Sequence, residues 1–339
     1  MDTNLGPKRK AWRMAQGEIL IYSASLPMET TLRPNFLLPL LTALSLAFNA
    51  SAEPARLAVM SAFGPELEAL KTASTETSVQ HINGTDFTLG NLDGKPVILV
   101  LSGVSMVNAA MTTQLMLDHF KVDRIVFSGV GGGVDPTLDV ADVIVAERWA
   151  EYQENRFARE TAGGFQGADG DNVGLPAFGM MIPRGVTVPG PKGGVERKTW
   201  FEVDPDMLAV ARAKADQTVL ARCAGTACLT KTPKVVVGGN GVSGPTFVDN
   251  AAYRDYAYRA FQARVLDMET AAVAHVAYVN HTPFIAFRAL SDLAGGDPAG
   301  NQFPIFIRLA ADNSARVVRD FLKALPAQAP VGRSAVGSP

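Results

Sequence analysis

Residues 263–292 read ARVLDMETAAVAHVAYVNHTPFIAFRALSD, and this stretch decides the fold. The short apolar run 263–266 fits a buried strand, 269–279 a helix, and 284–290 (FIAFRAL) a second buried strand. Strand, helix and strand in that order form the repeating unit of an α/β protein. The alternation continues outward in both directions. Towards the N-terminus, 56–61 (RLAVMS) reads as a strand and 65–73 as a helix. Residues 85–92 and 96–102 read as a hairpin joined by Asp93-Gly94, and 107–120 has helical spacing. Residues 124–128 (RIVFS) form a buried strand that runs into a glycine-rich turn, and 142–147 (DVIVAE) form another strand. Asp204-Pro205-Asp206 reads as an N-cap with proline at the first helical position, opening a helix over 207–216. A strand at 234–238, a helix at 250–261 and a final amphipathic helix at 305–325 complete the series. The pattern predicts the α/β class, as one domain over 53–325 with a mixed β-sheet sandwiched by helices. Residues 150–200 are rich in Gly, Pro and polar types without periodicity, so an irregular insertion is expected there. The polar tail 326–339 is expected to be loose.

Of the 339 residues 47% are hydrophobic and 19% charged, enough apolar mass for a large core. A net charge of -2 gives no electrostatic basis for a nucleic-acid or membrane-surface partner. The address lies near the start. Residues 36–48 (FLLPLLTALSLAF) are an apolar run preceded by Arg33 and followed by Ala50-Ser51-Ala52. This is the pattern of a secretory signal peptide cut after Ala52, and the run is shorter than the ~20 residues a spanning helix needs. Residues 1–27 lack an apolar period, and Met28 makes a more ordinary start for such a signal. Residues 1–52 are therefore read as an N-terminal extension plus signal peptide. The mature chain is expected to be periplasmic or secreted, with no membrane attachment after cleavage. In that compartment Cys223 and Cys228, five positions apart, are expected to pair as a disulfide. Free thiols and half of a zinc site are the alternatives, and no metal is expected.

Four segments carry a resemblance: 61–70 (SAFGPELEAL), 127–133 (FSGVGGG), 267–274 (DMETAAVA) and 288–292 (RALSD). Together they resemble the nucleoside phosphorylase/nucleosidase superfamily, in particular its methylthioadenosine/S-adenosylhomocysteine nucleosidase branch. The specific element is Met-Glu-x-x-x-Ala followed some twenty residues later by Arg-Ala-x-Ser-Asp. The resemblance implies hydrolysis of a purine nucleoside's N-glycosidic bond, without a cofactor, by a homodimer or larger homo-oligomer.

Cleaving a ribose–purine bond needs a proton for the departing base and a nucleophile for an oxocarbenium-like sugar, a division of labour similar to that of two-carboxylate glycosidases. By resemblance Asp292 is the general acid, oriented by Ser291; as residue types both also suit a helix N-cap. Glu269 would receive the ribose hydroxyls, a task suited to a carboxylate's two oxygens, with Met268 packed on the sugar. A first-turn acid at a helix dipole and a core methionine are the plainer readings of these two. Glu66 would polarise the attacking water, with Glu68 as a competitor, and Arg288 would sit near the same water or form a structural ion pair. Phe247 and Val248, in 244–248 (GPTFV), match the segment that stacks on the base. Glycines 129 and 131–133, among them Gly131, would let the backbone approach the sugar or simply form a tight turn. Two positions depart from the family pattern: Val130 stands where a Ser or Thr is usual, and Asp267 where a Glu is usual.

Phosphorolysis would need two or three basic donors near the sugar. Neither 61–67 nor 102–107 (SGVSMV) contains one, which favours water. Phosphorolysis, or an exported nucleoside-binding protein without turnover, are the competing readings.

Overall fold

A computed structural model describes residues 54–166, 173–190, 193–297 and 300–326. The signal peptide, the extension before it and the tail beyond Pro326 lie outside the described residues. Strand β1 (Arg56–Ser61) lies between β4 (Lys95–Leu101) and β5 (Val122–Gly133), parallel to both. On the β4 side the sheet continues antiparallel through β3 (Thr85–Leu92) to β2 (Thr75–Ile82). The predicted hairpin is β3–β4, and both turn residues take positive φ, 49° at Asp93 and 81° at Gly94. Strand β2 is an addition. Its residues are exposed almost throughout, so no buried face writes an apolar period into its sequence.

The glycine run is not the turn that the sequence predicts. β5 passes straight through Gly129–Gly133, and none of these residues has a positive φ. The glycines are there for space. A Cβ on Gly129 would overlap the Arg288 guanidinium, and one on Gly131 would lie 2.8 Å from the Leu266 carbonyl oxygen. Around this bare segment the sheet forks. One branch is β12 (Phe284–Asp292), parallel to β5, then β6 (Val143–Val145) and β9 (Val235–Val237). The other is β11 (Ala263–Asp267), antiparallel to the end of β5, then β10 (Asn240–Ser243), β7 (Arg148–Glu151) and β8 (Phe201–Glu202). The result is a mixed sheet of twelve strands flanked by helices.

Helices α1 (Gly64–Ala73) and α6 (Phe303–Ala324) pack together and cover β5, while α2 (Met106–His119) packs on α5 (Thr270–Val279). Helix α6 also covers β12, a strand buried along its whole length, with the Phe287 and Phe321 rings 5.0 Å apart. Helices α3 (Pro205–Lys214) and α4 (Ala251–Phe261) begin where caps dictate. Asp204 accepts from the Met207 N–H and Asn250 from the Tyr253 N–H, both at 2.9 Å, each cap being worth about 1 kcal/mol.

The stretch 150–200, expected to be irregular, carries three short antiparallel ladders. They pair Asn155–Phe157 with Met181–Pro183, Arg159–Thr161 with Gly164–Gln166, and Val186–Pro189 with Val195–Lys198. Strands of three or four residues are too short to show a period. Phe178 anchors the first ladder on α4 by packing against Tyr253 and Tyr256, each at 5.1 Å. Cys223 and Cys228 are joined by a disulfide that closes a two-stranded turn.

Candidate active site

The forked end of the sheet encloses a cavity of about 260 Å³. Seven chain segments meet there: the turn from β1 into α1, Val104 ahead of the helix at 106–119, the glycine run of β5, the loop at 246–248, the turn from β11 into α5, the end of β12, and Phe303 at the start of α6. Because β11 runs antiparallel to the last residues of β5, it carries Asp267, Met268 and Glu269 back along the glycine run. The strand-end position is where open α/β sheets place ligands.

Asp292 stands at the end of β12 with 2% of its surface exposed. Its Oδ1 accepts from the Ala294 N–H at 2.8 Å and its Oδ2 from the Ser291 hydroxyl at 2.9 Å. Burial pushes its carboxyl above the ordinary range, against those two hydrogen bonds, and Asp297 and Asp249 push the same way. The helix-cap alternative does not fit the geometry: the next helix, α6, starts only at Phe303, so Asp292 ties down a turn instead. Ser291 has a second acceptor within reach, the Gly131 carbonyl at 3.3 Å. It can therefore serve Asp292 in either protonation state.

Beside Asp292 the cavity floor holds an ionic cluster. Arg288 is completely buried and is not itself among the lining side chains. Its Nε lies 2.7 Å from Asp267 Oδ2, its Nη2 3.6 Å from Glu269 Oε2 and its Nη1 3.9 Å from Glu66 Oε1. Nη1 donates to the Val130 carbonyl at 3.2 Å, and the guanidinium lies 4.2 Å from the centre of the Phe127 ring. Arg288 thus forms a buried ion-pair cluster and neighbours Glu66.

Glu66, and not the exposed Glu68, faces inward. Its Oε2 accepts from the Ala62 and Phe63 N–H groups at 2.7 and 3.2 Å, and its Oε1 from the Val130 N–H at 2.8 Å. Burial raises its pKa despite Arg288 and those three donors. Glu269 lines the same cavity, with Oε1 accepting from the Ser105 N–H at 2.8 Å. Burial pushes its pKa up to about 7, opposed by Arg288 and Ser105 and reinforced by Asp267 and Glu66. Asp267, where the family pattern has a Glu, also lines the cavity. Its oxygens are taken up by Ser243, Thr270, Arg288 and the N–H groups of Glu269 and Thr270.

The remaining predicted residues are also brought together. Gly131, Met268, Phe247 and Val248 all line the cavity. Val248 is buried, whereas Phe247 is half-exposed at the mouth, edge-on to Phe303 at 5.5 Å. Sequence reading missed Phe63, Val104 and Phe303 on the walls and Thr270 below the floor. Phe63 lies inside the quoted 61–70 segment, and Phe303 just precedes the predicted last helix. Thr270 lies inside the quoted 267–274 segment, whereas Val104 gives no sequence signal of its own. The cavity-lining side chains include no lysine or arginine. Among the described residues no cluster of three or more His, Cys, Asp or Glu side chains could hold a metal ion.

Fold and site together define a class, and the comparisons agree: the chain belongs to the phosphorylase superfamily, whose family model matches residues 56–323. Within that class it is similar to 5'-methylthioadenosine/S-adenosylhomocysteine nucleosidases. The protein of that name from Marinomonas sp. (strain MWYL1) is 28% identical over 267 residues, 78% of this chain and 97% of the relative. That of Geobacillus kaustophilus (strain HTA426) is 29% identical over 269 residues, 79% and 97% of the two chains. Among solved structures, the Neisseria meningitidis nucleosidase in complex with methylthio-immucillin-A matches with a TM-score of 0.60 at 26% identity, covering 79% of this chain and 99% of that one. The Colwellia psychrerythraea 34H nucleosidase in complex with adenine matches with a TM-score of 0.60 at 28% identity, covering 80% and 96%.

Proposed function

We infer that the chain is an N-glycosidase that hydrolyses purine nucleosides of the methylthioadenosine and adenosylhomocysteine type to the free base and the ribose moiety. One observation carries this reading: a buried carboxyl with a raised pKa, Asp292, shares a 260 Å³ cavity with two further buried carboxylates, Glu66 and Glu269. Asp292 supplies the proton to the leaving base, and Ser291 stabilises the carboxylate left behind. Phe247 and Val248 hold the base. Glu269 accepts from the ribose hydroxyls, with Met268 against the sugar. Glu66 polarises the nucleophilic water, supported by Arg288.

Electrostatics favours water over phosphate. Glu66, Asp267 and Glu269 surround a single guanidinium, so a phosphate dianion would meet net negative charge without a free cation on the walls. Incubation with adenosine, inosine and methylthioadenosine, following the free base, tests the activity. Methylthioadenosine should be cleaved; no base from any of the three would overturn the reading.

Export and self-association belong to the same reading. The Ala50-Ser51-Ala52 site supports release of a periplasmic or secreted chain starting at Glu53. Exposed Val107 and Met111 on α2 adjoin Val104 at the cavity mouth and supply an apolar face for a second copy of this chain. Native and denatured masses of the exported protein check these points. A dimer or larger oligomer of chains beginning at Glu53, without alkylatable thiols, is expected. A chain retaining 36–48, a monomer, or two free thiols would each refute the corresponding part.

A further inference from the structure

We propose that Thr270 is a positioning residue for the reaction: its buried hydroxyl, set between Asp267 and Arg288, holds the guanidinium so that Nη2 stays aimed at the sugar-binding carboxylate of Glu269. The proposal rests on the nucleosidase reading and adds to it a residue outside the cavity lining.

Thr270 is the first residue of α5 and is completely buried. Its Oγ1 donates to Asp267 Oδ2 and accepts from Arg288 Nε at 2.8 Å. The direction of this relay is forced. Arg288 Nε has a hydrogen and no lone pair to offer, so the single hydroxyl proton of Thr270 must point to the carboxylate. Starting α5 does not require the hydroxyl. The N–H groups of Glu269 and Thr270 both go to Asp267 Oδ1, and that of Ala271 goes to the Ser243 hydroxyl at 2.8 Å. The Thr270 hydroxyl therefore takes none of the first N–H groups of the helix, and its partners are Asp267 and Arg288.

The role of the hydroxyl at Arg288 is geometric. Stacking on Phe127 sets the plane of the guanidinium but not its rotation within the plane. The rotation is set by directional bonds at two corners, Nη1 to the Val130 carbonyl and Nε to Thr270 and Asp267. The third corner, Nη2, is buried and has no hydrogen-bond partner, with Glu269 Oε2 3.6 Å away. Nη2 thus faces only the Glu269 carboxylate, and the rotation of the guanidinium decides how it is aimed at that group. Without the hydroxyl, Nε would swing towards Asp267 alone and carry Nη2 out of line with Glu269.

The test is steady-state hydrolysis of adenosine-type ribosides and their 2′,3′-dideoxy counterparts by wild type and by Thr270→Val, Thr270→Ala and Thr270→Ser. A hydrogen bond to a charged group sets the expected scale. Thr270→Val should lose about tenfold in kcat/KM on the riboside and less than about threefold on the dideoxy substrate, which offers Glu269 no hydroxyl; Thr270→Ser should recover to within about twofold. Equal loss on both substrates, or none, overturns the proposal. Thr270→Ala carries the same comparison should the valine variant not fold. Loss of fold in both, with the serine variant folded, would assign the hydroxyl to stability and also overturn it. An inactive wild type would sink the nucleosidase reading itself, whereas an active wild type with unselective variants refutes this proposal alone.

Discussion

Asp292→Asn should lower kcat on the best nucleoside substrate by about 10²–10⁴-fold, the usual worth of a general acid, with a much smaller effect on substrate binding. The amide keeps the size of the side chain and can still accept from the Ala294 N–H. It cannot hand a proton to a purine. The working form of Asp292 is the protonated one, so wild-type turnover should fall as pH rises through its elevated pKa, and the variant should lack that limb. The same shift has a sign in stability. A carboxyl whose folded pKa is raised stabilises the fold below the unfolded value of 3.8 and loses that contribution as pH rises through the folded value. The uncharged amide escapes the loss, so Asp292→Asn should melt above wild type at neutral pH, with the gap closing towards pH 4. Near-full activity in a folded Asp292→Asn protein would leave Asp292 only its part in the turn at Ala294.

Arg288→Met should be the most destabilising substitution in the site, by about 3–5 kcal/mol at neutral pH, because it removes the single cation from a buried group of carboxylates. The side chain is fully buried and touches three of them. The loss should depend on pH in a defined direction. Glu66 and Glu269 both have raised folded pKa values, about 7 for Glu269, so they can be carried protonated in mildly acid solution. Their contribution holds below the unfolded value of 4.5 and fades as pH rises through each raised value, about 7 for Glu269, and removing the cation raises both groups further. Denaturant melts at pH 5 and pH 8 should therefore show a small deficit at pH 5 and a large one at pH 8. An equal deficit at both would mean that Arg288 acts by packing on Phe127 and not by charge.

Much of this fold can be read from residues whose burial is regular. The strand–helix–strand of 263–292 is legible because β12 is apolar throughout and α5 follows a clear turn. The cap at Asp204 is equally plain. Legibility fails where burial is one-sided or local. β2 buries almost nothing, and the ladders within 150–200 are too short to establish a period. The glycine run misleads for another reason: glycine marks turns in sequence, but here it clears space for Arg288 and for the Leu266 carbonyl, a demand set by segments far away in the chain. The site divides in the same way. Residues in compact motifs, Asp267 to Glu269 and Arg288 to Asp292, can be named in advance. Val104 and Phe303 become neighbours of the substrate cavity only when separate segments meet, and Thr270 matters only once the rotation of Arg288 is visible.

The central claim is that this cavity delivers water to the sugar. The most direct measurement is the identity of the sugar released from methylthioadenosine in phosphate buffer and in phosphate-free buffer. The negative cluster around Arg288 predicts free 5-methylthioribose in both, at the same rate. A 1-phosphorylated sugar as the main product, with turnover that requires phosphate, would contradict it.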